Sequence, residues 1–466
     1  MKITGVLVIV LGVLSLCGSV HAAETPNPRT MPAQTWSREG EFLIDTVIGG
    51  FNQYNPSVAF DGTNYLVAWE DDRITYGGIG FTLVSATGTV LITPFIFGVA
   101  FDYGCSVAFD GNNYLLVYAQ GGLSSNAVLG VLVSQQGLFC SGLINLGFGV
   151  VSEPEHFPSV AFGGDNYLVI GSTGSGIQGK RVSPAGVVLD PTPINIAVPG
   201  NHSPSVAFDG TNYLAVWQCS RNDSCDIYGT RVSPAGTVLD PSGIPISTAV
   251  DSQKSPSVAF GGGNYLVFWQ SGDTMSYDIY ATRVSPSGTV LDPSGIPICT
   301  ATDNQCAPSV AFDGINYVIV WDDERSGSSS DIYGAKMNTS GVVIDSFAIS
   351  LQSGDQITPA LTHGMGDQML ITYSGWTDSI NGQPVNNMRI WGKFHPFVGI
   401  EEGETSILEQ QNLASTIFRG PLQLPNGKQC KVFAITGRVV EPSKIQPGIY
   451  FIEIDGVVTQ KVVKVR

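Results

Sequence analysis

Charge is scarce in this chain. Asp, Glu, Lys and Arg make up 13% of its 466 residues, about half of the quarter usual for soluble proteins, which excludes a coiled coil and a charged disordered chain. Bases are the scarcer sign: 22 Lys+Arg stand against 39 Asp+Glu, a formal net charge of −17. Electrostatic attraction to nucleic acid or to anionic lipid is therefore excluded. Helical periodicity is missing as well, which removes a conventional helical enzyme from consideration. No segment beyond the first twenty or so residues is long and apolar enough to cross a bilayer. Nothing resembles a nucleophile elbow, a Walker loop, a HExxH helix or a dinucleotide-binding glycine fingerprint. The cysteines lack the close spacing zinc needs. No cofactor is expected; calcium on acidic loop triplets is the one ion left open, without the Asp-x-Asn/Asp-x-Asp/Asn-Gly loop that would specify it.

At the amino end Lys2 precedes an apolar run from Ile3 to Val20, followed by His21, Ala22 and Ala23. A basic start, an apolar stretch and small residues at the cut read as a secretory signal over residues 1–23, with an uncleaved membrane anchor as the alternative. Residues 24–37 read as a flexible segment. Export places the chain outside the cell or on its surface, an oxidising address. Two local disulfides, Cys219–Cys225 and Cys299–Cys306, are expected, while the pairing of Cys105, Cys140 and Cys430 stays open.

Repetition dominates the rest. Pro204-Ser205-Val206-Ala207-Phe208-Asp209-Gly210-Thr211-Asn212-Tyr213-Leu214-Ala215-Val216-Trp217 recurs from Pro256 and from Pro308, with weaker copies from Pro56, Cys105, Pro158 and Pro359. The spacings are 49, 53, 46, 52, 52 and 51 residues. Each copy reads as four short strands: Ser-Val-Ala-Phe, Asn-Tyr-Leu-x-Val-Trp, a third such as Asp226 to Val232, and, after a Ser-Pro-x-Gly turn, a fourth at Thr237 to Asp240. Seven four-stranded units of this length predict an all-β fold: a seven-bladed β-propeller over residues 38–399. An open solenoid or a chain of sandwiches is the alternative. The seventh unit stops after its third strand, and Gly40 to Asp45 resembles the missing piece. The amino-terminal strand is thus expected to complete the last blade.

Comparing copies within the chain exposes a pair that changes together. Arg181, Arg231 and Arg283 are each followed nine residues later by Asp190, Asp240 and Asp292, and the sixth unit keeps the pair as Lys336 and Asp345. These positions fall diagonally on one hairpin face and read as partly buried structural ion pairs rather than catalytic arginines. In a propeller the nearly constant turns share one face. The opposite face carries the loops that vary from copy to copy, and is the expected binding face. On it stand Asp71 and Arg73, Asp322, Asp323 and Glu324, Trp376, and the equivalent histidines His156 and His202. The Trp-x-Asp-x-Arg loops read as solvated charge behind a buried tryptophan, and two histidines alone do not make a metal site. No residue is assigned to catalysis. Rim carboxylates leave a glycosidase or lyase open, since that chemistry needs two acids flanking a sugar.

After Gly399 the composition changes. Residues 400–412 read as a linker and 413–466 as a small antiparallel β-sandwich. Its Thr436-Gly437-Arg438 turn, Pro447-Gly448-Ile449-Tyr450-Phe451 strand and terminal Lys461-Val462-Val463-Lys464-Val465 strand resemble the C-terminal sorting domain of type IX secretion substrates. Phe418-Arg419-Gly420-Pro421 stands in place of the usual Pro-Asn-Pro opening. The whole thus resembles a bacterial secreted β-propeller repeat protein. That resemblance implies the secretion machinery as one partner and delivery across the outer membrane. The function expected is a non-catalytic binding or adhesion module for an extracellular polysaccharide or protein, with a secreted carbohydrate-active enzyme or a structural surface-layer component as alternatives.

Overall fold

The computed structural model describes residues 40–74, 77–98, 102–121, 127–148, 157–221, 224–273 and 276–395, and in the tail 415–418, 430–434, 440, 442, 448–454 and 457–464. The signal at 1–23, the segment at 24–37, His156, the linker and the Thr436-Gly437-Arg438 turn lie outside the described residues. Among those residues no helix is long and apolar enough to cross a membrane.

Seven four-stranded antiparallel sheets form a ring. Blades 1 to 6 span Gln53–Phe97, Asp102–Asn145, Ser159–Asn195, Asn201–Ser247, Ser252–Cys299 and Gln305–Ser350. Blade 7 takes three strands from Gln356–His395 and its outer strand from Glu41–Leu43, with Phe42 opposite Gly392 and Leu43 opposite Trp391. Each inner strand packs on the inner strands of both neighbours, and the first meets the last. The ring is closed.

The repeated residues are those that join blades. Because each sheet is covered on both faces, its second strand is apolar throughout instead of alternating. Tyr65, Tyr114, Tyr167, Tyr213, Tyr265 and Tyr317 are fully buried there. Five of these phenols donate to the asparagine carbonyl that opens the second strand of the preceding blade, for example Tyr213 Oη to Asn166 O at 2.6 Å and Tyr265 Oη to Asn212 O at 2.7 Å. Burial lifts their pKa values far above the ordinary phenol range. The serine of Ser-Val-Ala-Phe accepts from the valine N–H of the next blade, as in Val206 N to Ser159 Oγ at 3.2 Å and Val258 N to Ser205 Oγ at 3.3 Å. Turn aspartates cap their own hairpins: Asp209 Oδ1 accepts from Thr211 and Asn212 N, both at 2.7 Å. Gly210 between them needs its left-handed φ of 92°.

In five of the repeats the opening proline sits at a bulge. Inner strands begin about three residues before it, and the register shifts across it, as between His202 and Ser205. An inner-edge strand tolerates the missing donor. The preceding residues Asn55, Ser203, Ser255, Ala307 and Thr358 hold φ near 50°, a costly conformation for non-glycine residues.

Two sequence expectations need correction. The Thr237-to-Asp240 segment makes only a single bridge, Val232 to Val238, and the outer strand is Ile244–Ser247 beyond it. Phe42, opposite Gly392, matches Ile244, opposite Gly229, so the amino-terminal strand replaces that later strand. The disulfides are absent: none of Cys219, Cys225, Cys299 and Cys306 is disulfide-bonded. Cys219 stands opposite Asp226 and Cys225 opposite Ser220, so the two point to opposite faces of one hairpin. Cys299 belongs to the outer strand of blade 5 and Cys306 to the inner strand of blade 6. Neither Cys105 nor Cys140 is disulfide-bonded. The tail forms a separate compact unit. Its described strands make one four-stranded sheet, with Ser415–Phe418 parallel to Val457–Lys464.

Candidate functional site

The second-to-third-strand loops and the inter-blade connections share one face of the ring, and two clefts open on it at equivalent places. The first, about 680 Å³, lies between blades 3 and 4. Trp217 and Tyr228, cross-strand partners, form its aromatic wall, facing Gln178, Asn195 and Ile196. No charged side chain lines it. The second, about 400 Å³, lies between blades 4 and 5 and carries Trp269 and Tyr280 in the same positions. Strand pleating explains its composition. Trp269, Ser271 and Asp273 share one face of the second strand. Their partners Tyr280, Asp278 and Ser276 share that face of the third. With Asp251 from the inter-blade connection, three carboxylates border one Trp–Tyr pair. Burial raises the Asp278 carboxyl above its ordinary range. Among the described residues no three histidine, cysteine or acidic groups gather as a metal site.

Among the described residues, none of the sequence-nominated rim residues lines either cleft. Asp71 and Asp323 are fully buried, which overturns the reading of Trp-x-Asp-x-Arg as solvated charge. In blade 6, Trp321 Nε1 donates to Asp323 Oδ2 at 2.8 Å, and Arg325 Nε donates to Asp323 Oδ1 at 2.8 Å. Arg325 Cζ lies 4.1 Å above the Tyr333 ring. Blade 1 repeats the motif: Trp69 Nε1 donates to Asp71 Oδ2 at 2.8 Å, Arg73 Nε to Asp71 Oδ1 at 2.8 Å, and Arg73 Cζ stacks 4.3 Å from Phe51. Burial alone would raise the Asp71 carboxyl, but hydrogen bonds from Arg73, Trp69 and Gln53 hold it below its ordinary range. Arg73 also pairs with Asp45, and Gln53 Nε2 donates to Asp45 Oδ2 at 2.7 Å. This is scaffold.

Asp322 is half-buried, with its Oδ1 enclosed, and Glu324 is exposed, accepting from Asn304 Nδ2 at 2.7 Å. Trp376 donates to Asp378 at 2.7 Å, and His202 stands opposite Gln218 in the inner hairpin of blade 4. The three arginine pairs are in place: Arg181–Asp190 at 2.6 Å, Arg231–Asp240 at 2.8 Å and Arg283–Asp292 at 2.8 Å. Each arginine also donates across the blade boundary, to Pro234 O, Pro286 O or Thr339 O. Lys336 departs from the pattern. Though Asp345 is its ladder partner, its ammonium turns to Asp313 at 3.5 Å, because a point charge has no fork to span both.

The ring is similar in fold to the BP39L lectin of Burkholderia pseudomallei, at 14% identity and a TM-score of 0.54 over 74% of this chain and 98% of that one. The GH43 endo-arabinanase of Bacillus licheniformis gives 14% identity and a TM-score of 0.32 over 53% of this chain and 99% of that one. At these identities the likeness is one of fold alone. No protein-family profile and no curated protein sequence matches the chain.

Proposed function

We propose that the chain is an exported, non-catalytic binding or adhesion module whose varied face takes an extracellular polysaccharide or protein, delivered by its tail. The observation that carries this reading is the pair of equivalent Trp–Tyr clefts on one face of an otherwise uniform ring. Flat aromatics beside amides and hydroxyls suit a ligand with an apolar face and a polar edge. The test is a panel of polysaccharides and surface proteins offered to the full chain, scored for both retention and product release. Tyr228→Ala with Tyr280→Ala is expected to weaken retention by about tenfold or more. Unchanged retention would remove the clefts from the function. A glycosidase or lyase is the second reading, favoured by the three carboxylates of the second cleft. Sugar release abolished by Asp278→Asn would establish it. Export is tested separately: a chain ending at residue 412 should fail to reach the surface while its ring stays folded.

A further inference from the structure

Four blades carry tryptophan at the same point of the second strand: Trp69, Trp217, Trp269 and Trp321. Four residues later blades 1, 4 and 6 have Arg73, Arg221 and Arg325, but blade 5 has Asp273. Blade 6 displays what the described cation does. The Arg325 guanidinium lies over the ring of Tyr333, the cross-strand partner of Trp321, and is gripped by the buried carboxylate of Asp323. Blade 5 retains the aromatic floor, with Tyr280 at the position of Tyr333 and Asp278 at that of Asp331. No cation is among the described residues that line its cleft. Ser271 replaces Asp323, Asp273 replaces Arg325, and a cleft of about 400 Å³ is open there. Its charged lining is Asp251, Asp273 and Asp278, all of one sign.

Resting on the binding-module reading, we propose that the blade-5 cleft receives a guanidinium from outside: an arginine side chain of a partner polypeptide, stacked on Tyr280 and held by the surrounding carboxylates. Blade 6 places its own arginine on this aromatic floor, whereas blade 5 withholds one and leaves the groove open. A planar, weakly hydrated cation is the group that gains both from an aromatic face and from carboxylate forks.

Titration of the full chain with N-acetyl-Gly-Arg-Gly-amide, its neutral citrulline counterpart and a chitosan hexamer tests this. Calorimetry or NMR should show the arginine peptide binding at least about tenfold tighter than the citrulline peptide. Binding should weaken as salt rises. Ser271→Asp with Asp273→Arg rebuilds the blade-6 pair and should abolish peptide binding without loss of thermal stability. Tyr280→Leu, which keeps the carboxylates, should reduce it by about fivefold or more. Equal affinity for the two peptides, or undiminished binding by the self-filled variant, overturns the proposal. So does preference for chitosan over the arginine peptide, which would make the ligand an amino sugar. Failure of the wider reading looks different: arginine-peptide binding persists, and is still weakened by Tyr280→Leu, but no surface polymer or protein is retained.

Discussion

Asp322 is a residue at odds with its place. The residue after the blade tryptophan bridges to the bulge of the next blade. Glu70 accepts from Gly104 N at 2.6 Å, Gln218 from Ser255 N at 3.2 Å, and Gln270 from Ala307 N at 3.2 Å. Aspartate is one methylene shorter, and among the described residues its buried Oδ1 has no hydrogen-bond partner. Burial, reinforced by Glu324 and Asp323, pushes its carboxyl up to about 7. An acid raised in the folded state costs nothing below the unfolded pKa near 4. Stability falls as pH climbs from there to about 7, where the folded protein must ionise it or hold a proton the unfolded chain has released. Asp322→Gln should remove that loss and reach the Thr358 N–H as its counterparts do. At pH 7.5 the variant is expected to be more stable by on the order of 2–4 kcal/mol, with the gain vanishing near pH 4. Urea denaturation at the two pH values reads this directly; an equal gain at both would mean packing, not ionisation, was corrected.

At the scale of the element, the third-strand arginine is a clamp with two jaws. Arg231 holds Asp240 of its own hairpin through two side-chain bonds, at 2.8 and 2.9 Å, and the Pro286 carbonyl of the next blade. Arg231→Met should therefore cost on the order of 1–3 kcal/mol. Lys336→Met, lacking the fork, should cost under about 1 kcal/mol. The hydrogen bond from Arg231 depresses the Asp240 carboxyl, so the pair's contribution exists above the ordinary aspartate pKa and fades as pH drops below it. A chevron or equilibrium unfolding series in which both variants fall equally would refute the two-jaw reading. The covariation of these pairs was legible because the copies repeat it, though only the three arginine pairs share one geometry. The same repetition exposed the strand count, the turns and the missing last strand. What stayed illegible depends on which way a chain segment turns. Cys219 and Cys225 look like a staple until the hairpin is known to turn between them, which sends their side chains to opposite faces. Trp-x-Asp-x-Arg looks like surface charge until Asp323 is seen bonded to the tryptophan indole. The clefts were missed because their walls come from the least variable residues, Trp217, Tyr228, Trp269 and Tyr280. For the blade-5 cleft the visible signal was Asp273, standing where the three other tryptophan-bearing blades have arginine.

For the whole molecule, everything turns on where the ring is closed. The six other blades are continuous chain, but blade 7 borrows Glu41–Leu43 from the far end. A three-residue strand makes few ladder bonds, so the seam is held by side chains around it. Phe42 stacks on Phe394 at 5.5 Å, and a side chain at Gly392 would strike the Phe42 ring. Beyond the strand, Asp45 joins Arg73 and Gln53 of blade 1. Arg389 of blade 7 donates to the carbonyls of Phe51 and Gly49 at 2.6 and 2.7 Å while lying over the Phe51 ring. Desolvation drags its pKa down to about 10, but it remains charged at neutral pH. Asp45→Ala leaves buried cations short of a partner and should cost about 3–5 kcal/mol. Deleting residues 40–45 goes further, because it also bares the edge of the strand Gln383–His395. An uncovered β edge pairs with whatever strand it meets. The deletion is therefore expected to lower the melting temperature by well over ten degrees and to drive dimers or larger species in light scattering, in a concentration-dependent way. The Asp45→Ala protein, with its edge still covered, should melt early yet remain monodisperse. If both variants melt early and neither associates, the strand contributes stability without guarding an edge; if neither melts early, the ring is closed by something other than this seam.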